Sequence, residues 1–480
     1  GELAMPNGND WSLFLYDQIT SYSTNACFLR DPHALMLENL AYKMIKARQK
    51  TTADGSWLLR PDVGARRMGV EAHRVMMTWL MHETLSTASL TPTPWDDFNR
   101  TYSRAKVFPS QNIVRAATDS RFTCFAWSEG LKSYTGYIAP HTSHLQPQAS
   151  NLIVPFRQNN TGNFLGWYDV EGKKNNATPV NAQSSRDNAQ SSRDNAQSSR
   201  GNAQSSRGNA QSSMLNVLSD GNSWLMNGEL QTNDNALNHR FAIYSTPGNA
   251  VIYLDHVRAN TPCTITAEKG GLMAISVDEL TKTSRTLFTS DGQQQADGTT
   301  LTKLSGQWLN IDNALGIVVP QPDKTCMAFG HRANNNSVMT AKLYAAYSDQ
   351  HRTVAQGDVV GHRAIAYFSN VTAEETARLT SAASQITTPD GWNGINVGDP
   401  DHTIYLLLCH FDRHITINGS NVEAIQDKNN PSVIFVKNHS RKANLLTVST
   451  RKDGQQLTKR IKLKKKPLRI TLRGEELLVN

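Results

Sequence analysis

Thr91-Pro92-Thr93-Pro94 separates two textures of sequence. Two prolines in four residues cannot continue a helix, and each pushes the residue before it toward extended backbone. Upstream, the spacing predicts helices. Asp31-Pro32 reads as an N-cap followed by proline at the first helical position. Leu37, Leu40, Ala41, Met44 and Ile45 then fall at i, i+3, i+4, i+7 and i+8, one apolar stripe. Val70 to Leu85 is apolar over more than one face, through Val75, Met76, Met77, Trp79, Leu80 and Met81, which predicts a helix buried among others. Two or three helices cover such a segment poorly, so further helices are expected from chain upstream of Gly1.

Downstream the pattern changes to short runs of Val, Ile, Phe, Tyr and Thr between Gly, Asn, Asp and Ser turns. Phe122–Trp127, Leu152–Phe156, Arg240–Tyr244, Ala250–Leu254, Leu309–Val319 and Ala364–Phe368 are the clearest. No helical segments regularly intervene, so an antiparallel sandwich is expected rather than a parallel sheet. After a stretch rich in Gly and Asp (391–401), Tyr405–Leu408, His414–Asn418, Ser432–Val436 and Leu445–Thr450 predict a smaller β unit. Near the end, Ile461 and Leu463, then Leu468, Ile470 and Leu472, alternate with Lys and Arg around Lys465-Lys466-Pro467, reading as a two-faced pair of strands. The expected fold is mainly β with an N-terminal α part. It divides into a helical segment 1–90, a large antiparallel sandwich 96–390 and a small C-terminal β domain 400–480. Residues 181–213 repeat Asn-Ala-Gln-Ser-Ser-Arg with a period of seven. Alanine is the only apolar residue of the repeat, so it is expected to be a surface loop insertion.

Composition narrows the function classes. At 38% hydrophobic and 19% charged residues the chain is of the packed kind. No run reaches 18 apolar residues, so no membrane span is expected. Of the net charge of +8, residues 451–480 supply most, with 10 basic and 3 acidic residues. The excess describes a tail, and without a recognition motif it does not predict nucleic-acid binding. Its lysines suit a protected sheet edge or a patch that attracts a polyanion. The five cysteines are scattered and form no CxxC or Cys/His cluster, which argues for buried thiols and against a zinc site. No phosphate-binding loop, dinucleotide fingerprint, GxSxG elbow or HExxH helix is present. No cofactor is expected. The Asn396–Asp401 loop, with Asp399, offers oxygen ligands suited to calcium, but its composition is that of many turns.

Three groups carry chemistry. On the apolar helix, His73 and Arg74 stand near His82 and Glu83. His73 and His82 are nine residues apart, on opposite sides of a helix, so a shared metal site is not expected. His73 is a candidate proton acceptor, with a structural histidine as the alternative. Tyr134, Tyr137, His141 and His144 form the second group, suited to stacking on sugar rings or to core packing. The third is Asn159-Asn160-Thr161-Gly162-Asn163-Phe164-Leu165-Gly166-Trp167-Tyr168-Asp169-Val170-Glu171-Gly172. It joins amides, two adjacent aromatics and two carboxylates, and Asp169 and Glu171 would share one side of a strand. Tyr134 and Tyr137 join His73 as catalytic candidates. Asn160, Trp167, Tyr168, Glu171, His141 and Arg74 are the substrate-binding candidates. No metal ligands are assigned.

The order of helices, long β region and small terminal β unit resembles polysaccharide lyases of the hyaluronate/chondroitin lyase type and their heparinase-like relatives. Gly166-Trp167-Tyr168-Asp169-Val170-Glu171-Gly172 is similar to a Gly-Trp-Tyr…Gly-Asp-Gly stretch near the start of their β domain, with Asp-Val-Glu where the family carries Gly-Asp. His414-Ile415-Thr416-Ile417-Asn418-Gly419 followed by a basic hairpin is similar to their last domain. The resemblance implies the end of an (α/α) toroid followed by a large and a small antiparallel sandwich. It also implies removal of the C5 proton of a uronic acid by tyrosine or histidine, with an asparagine neutralising the carboxylate. The family keeps that set mainly on the toroid, so it is expected upstream of Gly1 or is absent. The chain opens without a signal peptide at Gly1, so it is expected to be a processed product or a piece of something longer. The expectation is a secreted protein, extracellular or periplasmic, that cleaves an acidic polysaccharide by β-elimination. A non-catalytic carbohydrate-binding or structural β-sandwich and a glycoside hydrolase are the alternatives.

Overall fold

A computed structural model describes residues 12–48, 50–51, 57–58, 65–102, 104–109, 113–118, 121–128, 133–140, 153–154, 166–170, 173–179, 216–232, 235–270, 273–276, 284–320, 326–335, 338–348, 350–398, 403–410, 413–440, 444–452, 455–474 and 476–480. The repeat at 181–213, and with it the expectation of a surface loop there, lies outside the described residues. The fold is mainly β, with an N-terminal helical part and stacked antiparallel sheets.

Four helices open the chain: α1 (Ser12–Leu29), α2 (Pro32–Arg48), α3 (Ala65–Leu85) and α4 (Trp95–Tyr102). Helix α2 starts at Pro32, and Asp31 Oδ1 accepts the His33 amide at 2.9 Å, the cap expected from the sequence. Helix α4 extends the helical part past Pro94, a correction to the boundary drawn there. Pro94 precedes the helix rather than interrupting it, Asp96 and Asp97 occupy the first turn, and Phe98 packs edge-on against His33. A buried polar chain ties three helices together. Ser23 Oγ donates to Glu38 Oε1 at 2.5 Å, and His82 Nε2 lies 2.8 and 3.0 Å from the same carboxylate. His82 Nδ1 meets the Thr87 hydroxyl at 2.8 Å. Glu38 is almost fully buried, so these partners offset the cost of desolvating its charge. Helix α3 buries Thr78 yet leaves Met76, Trp79 and Leu80 about half exposed, at i, i+3 and i+4. No described helix is long and apolar enough to cross a membrane.

The large β part is a sandwich of two leaves, joined by the strand Lys173–Pro179. That strand pairs with Gly166–Val170 of the outer leaf and with Trp224–Thr232 of the middle leaf. The middle leaf runs, strand by neighbouring strand, Trp224–Thr232, Leu237–Ser245, Ala250–Ala259, Val359–Ser369, Leu315–Val318, Trp308–Ile311, all antiparallel. Its two faces have different neighbours. Phe241, Ile243, Val251, Tyr253, Ile365 and Tyr367 meet Val114, Phe125, Phe329 and Leu343 of the outer leaf. Ala242, Tyr244, Ile252, Leu254, Ala366 and Phe368 meet Ile395, Val397, Tyr405 and Leu407 of the C-terminal unit. A sheet covered on both sides reads as continuous apolar runs, which is why Ala250–Leu254 and Ala364–Phe368 lack alternation.

The leaves are also pinned by Arg121. Its guanidinium crosses from the outer leaf to the Thr246 and Ala250 carbonyls at 2.8 and 2.7 Å, and burial lowers its pKa to about 10. The run Leu309–Val319, read as one strand, is a hairpin. Asp312 and Asn313 adopt left-handed φ of 54° and 52° between strands Trp308–Ile311 and Leu315–Val318. On its flank, α5 (Ala373–Ala382) is opened by a capping box of Thr372 and Glu375.

The C-terminal unit stacks a six-stranded sheet on a four-stranded one, with Ile386, Trp392, Leu406, Leu408, Ile417, Ile434 and Ile470 between them. Ser384–Thr387 and Asn393–Gly398 already belong to the six-stranded sheet. Part of the segment read as a calcium-suited loop is therefore strand, and buried Asn396 donates to the Ala424 carbonyl at 2.8 Å. Asp399 and Asp401 lie outside the described residues. The terminal basic strands do not pair with one another. Gln455–Leu463 joins the six-stranded sheet and Leu468–Arg473 the four-stranded sheet. Both apolar faces serve one core, so Lys464–Pro467 crosses between layers instead of closing a hairpin.

Candidate functional site

The sequence candidates are spread over the helices and the outer leaf. His73 is exposed on α3, with Arg74 half-buried beside it. Tyr134 and Tyr137 stand opposite Trp127 and Cys124 in the strand Ser133–Pro140. Trp167 and Tyr168 stand opposite Lys269 and Glu268 in Gly166–Val170. His141, Asn160 and Glu171 lie outside the described residues. Among the described residues no group of three or more His, Cys, Asp or Glu side chains could hold a metal ion.

A better-defined polar site lies on the middle leaf, where the C-terminal unit stops covering it. Three cross-strand rows show the transition. Asn227, Ala242, Leu254 and Ala364 stand in one row, adjoining the covered apolar area. The next row on the same face is Glu229, Arg240, His256 and His362. Beyond it, Asn238 stands opposite Arg258, where the register with Val359–Ser369 shifts by a bulge. Bulges re-aim side chains, and this one falls at exposed Arg258. The result is a groove. At one end, Asn227, Leu254, Gly391, Asn393 and Cys409 form the seam with the C-terminal unit. At the other, Asn238, Arg240, His256, Arg258, Asn260 and Gln356 line a cavity of about 300 Å³. Gly357 turns the chain at this end with a left-handed φ of 86°.

The electrostatics are cationic. Arg240 Nε pairs with Glu229 at 3.4 Å, and Asn238 donates to the same carboxylate. His256 titrates at about 4, because burial, Arg258, His362 and Arg240 all disfavour a further positive charge there, against a smaller opposing effect of Asp255. Its ring is therefore neutral near pH 7. On the opposite face of the same strand Asp255 is fully buried in the sandwich core. Arg363 Nε donates to its Oδ1 at 2.9 Å and Arg363 Nη2 to its Oδ2. The Tyr253 hydroxyl donates to Oδ2 at 2.8 Å, and His239 Nε2 lies 3.1 Å away. Burial alone would raise this carboxyl, but Arg363 and His239 hold it well below the usual carboxylate range. The core cluster fixes the strand, and the strand presents the groove.

Sequence reasoning placed strands here but did not find the groove. Arg240, His256 and His362 are each unremarkable in their own segments, and only the register of four strands, drawn from residues more than 130 apart, aligns them.

No family model matches the chain, and no curated protein matches it in sequence. Several solved structures are similar in part. Chondroitinase AC lyase is 12% identical with a TM-score of 0.40, covering 93% of this chain and 67% of its own. Paenibacillus xanthan lyase is 8% identical with a TM-score of 0.41, covering 90% and 40%. The galactosidase domain of an α-galactosidase-sucrose kinase is 8% identical with a TM-score of 0.34, covering 57% and 43%. The chain thus spans less than half of the last two. Likeness at this level carries no argument about activity.

Proposed function

We propose that this chain is part of a secreted protein that processes an acidic polysaccharide, cleaving it by β-elimination. The observation that carries the reading is the row Glu229, Arg240, His256 and His362 with Arg258 beside it, an open cationic groove on a β platform. A polymer bearing carboxylates or sulfates is the ligand such a row attracts. The half-exposed stripe of Met76, Trp79 and Leu80 supports the related reading that further helices pack on α3.

In the reaction, a base takes the C5 proton of a uronic acid. The electron pair becomes the C4–C5 double bond, the C4–O glycosidic bond breaks, and the departing oxygen takes up a proton. His73, Tyr134 and Tyr137 are the proposed proton carriers. The test is incubation of the protein with uronate-containing polysaccharide. Products absorbing in the far ultraviolet, through the C4–C5 double bond conjugated to the carboxylate, are expected; reducing ends without that absorbance make it a hydrolase, and binding without products makes it a carbohydrate-binding unit.

A further inference from the structure

We infer that the groove between the middle leaf and the C-terminal unit is an anchoring site for one acidic saccharide unit of the substrate, holding its anionic group by arginine and its hydroxyls by asparagine. This rests on the proposed function but concerns a place in the fold that none of the described sequence candidates lines. Cations alone would suit any anion. The groove adds two oriented acceptors. Asn227 is 5% exposed, and among the described residues its buried Oδ1 has no hydrogen-bond partner. Asn238 Oδ1 is in the same condition, its amide nitrogen being committed to Glu229. A buried acceptor without a donor is costly, and it is relieved by an O–H group. A sulfate ion brings no such donor at neutral pH, and a phosphate ion at most one or two; a sugar ring carries several.

The spacing fits. Arg258 is the diagonal neighbour of Arg240 on the adjacent strand, about 7–8 Å away, and Arg240 is held in its row by Glu229. Asn227 stands one row before Arg240, and Asn238 stands directly opposite Arg258. Glu229 takes Arg240 and Asn238, and Asp358 accepts the Ala355 amide at 2.7 Å, so exposed Arg258 is the arginine that meets the anionic group.

The same inventory separates anchoring from chemistry. Among the described lining residues there is no tyrosine, and the Asp255 carboxylate is turned into the core and bound by Arg363. His256, ringed by Arg240, Arg258 and His362, is ill placed to take on a proton. The groove holds a unit of the chain while cleavage occurs elsewhere.

The test measures binding of three probes to the full chain by calorimetry: unsulfated chondroitin hexasaccharide, its sulfated counterpart and neutral chitohexaose. Both acidic probes are expected to bind more tightly than the neutral one, and their order reports whether carboxylate or sulfate is the favoured anion. Arg258→Gln, an exposed change, and Asn227→Leu are each expected to weaken acidic binding about tenfold. In turnover, Arg258→Gln is expected to raise KM and leave kcat unchanged. If the wild-type protein binds acidic probes and both variants bind equally well, the anchor is overturned while the functional reading stands. A fall in kcat at constant KM overturns the anchoring role. If no acidic probe binds, both readings fail.

Discussion

Asp255 is the residue whose surroundings are most demanding. It is buried, charged and surrounded by Arg363, His239 and Tyr253, so removing one partner leaves a desolvated ion behind. Arg363→Ala is expected to lower stability by about 3–5 kcal/mol in urea denaturation, the cost of orphaning such a charge. A shift under 1 kcal/mol would contradict this account of the core. His256 makes a different prediction, about pH. Its folded pKa of about 4 lies below the unfolded 6.5, so below pH 6.5 the unfolded chain takes up a proton that the fold refuses. Stability contributed by the neutral ring is complete above pH 6.5, declines on acidification and is gone near pH 4, up to about 3 kcal/mol in all. Asp255, held well below the carboxylate range, adds its own loss only below about pH 4. Denaturation midpoints from pH 7 to pH 4 should fall for the wild type and flatten for His256→Gln.

At the level of helices and strands, α5 shows how local signals lock an element. Thr372→Ala removes the oxygen that accepts the Glu375 amide and should cost about 1 kcal/mol, read from the thermal midpoint. Gly316, on the neighbouring strand, has no room for a methyl group, since an added Cβ would sit 2.5 Å from Thr376 Oγ1 and 2.8 Å from Val371 Cγ2. Gly316→Ala should cost about 1–3 kcal/mol through overpacking, with the helix retained in circular dichroism. Elements of this kind were legible in the sequence because their causes are local. Asp31-Pro32 marked a helix start, and the apolar runs at 250–254 and 364–368 marked strands. Misreadings arose where the deciding cause was tertiary. The basic tail has the pattern of a hairpin, yet a core shared by two sheets separates its strands. Leu309–Val319 looks continuous, yet two left-handed residues fold it back. The groove is the extreme case, because no window of sequence contains it.

Across the whole molecule, layers are coupled by shared surfaces. Tyr244 exchanges hydrogen bonds with Asn418, Asn393 donates to the Asp255 carbonyl at 3.1 Å, and Tyr405 packs in the apolar seam. The sandwich and C-terminal unit should therefore unfold as one cooperative event. Calorimetry is expected to show a single transition for the two, and Tyr405→Ala should split or broaden it. Two resolved peaks in the wild type would mean that the seam is weaker than its buried residues imply. The row Glu229, Arg240, His256 and His362 has a further consequence for descent. Neighbouring positions on that sheet are held by close packing and tolerate little change, whereas this row is policed by no core. Lineages carrying this scaffold are free to rewrite those four letters, and so to exchange one ligand for another without disturbing the architecture that displays it.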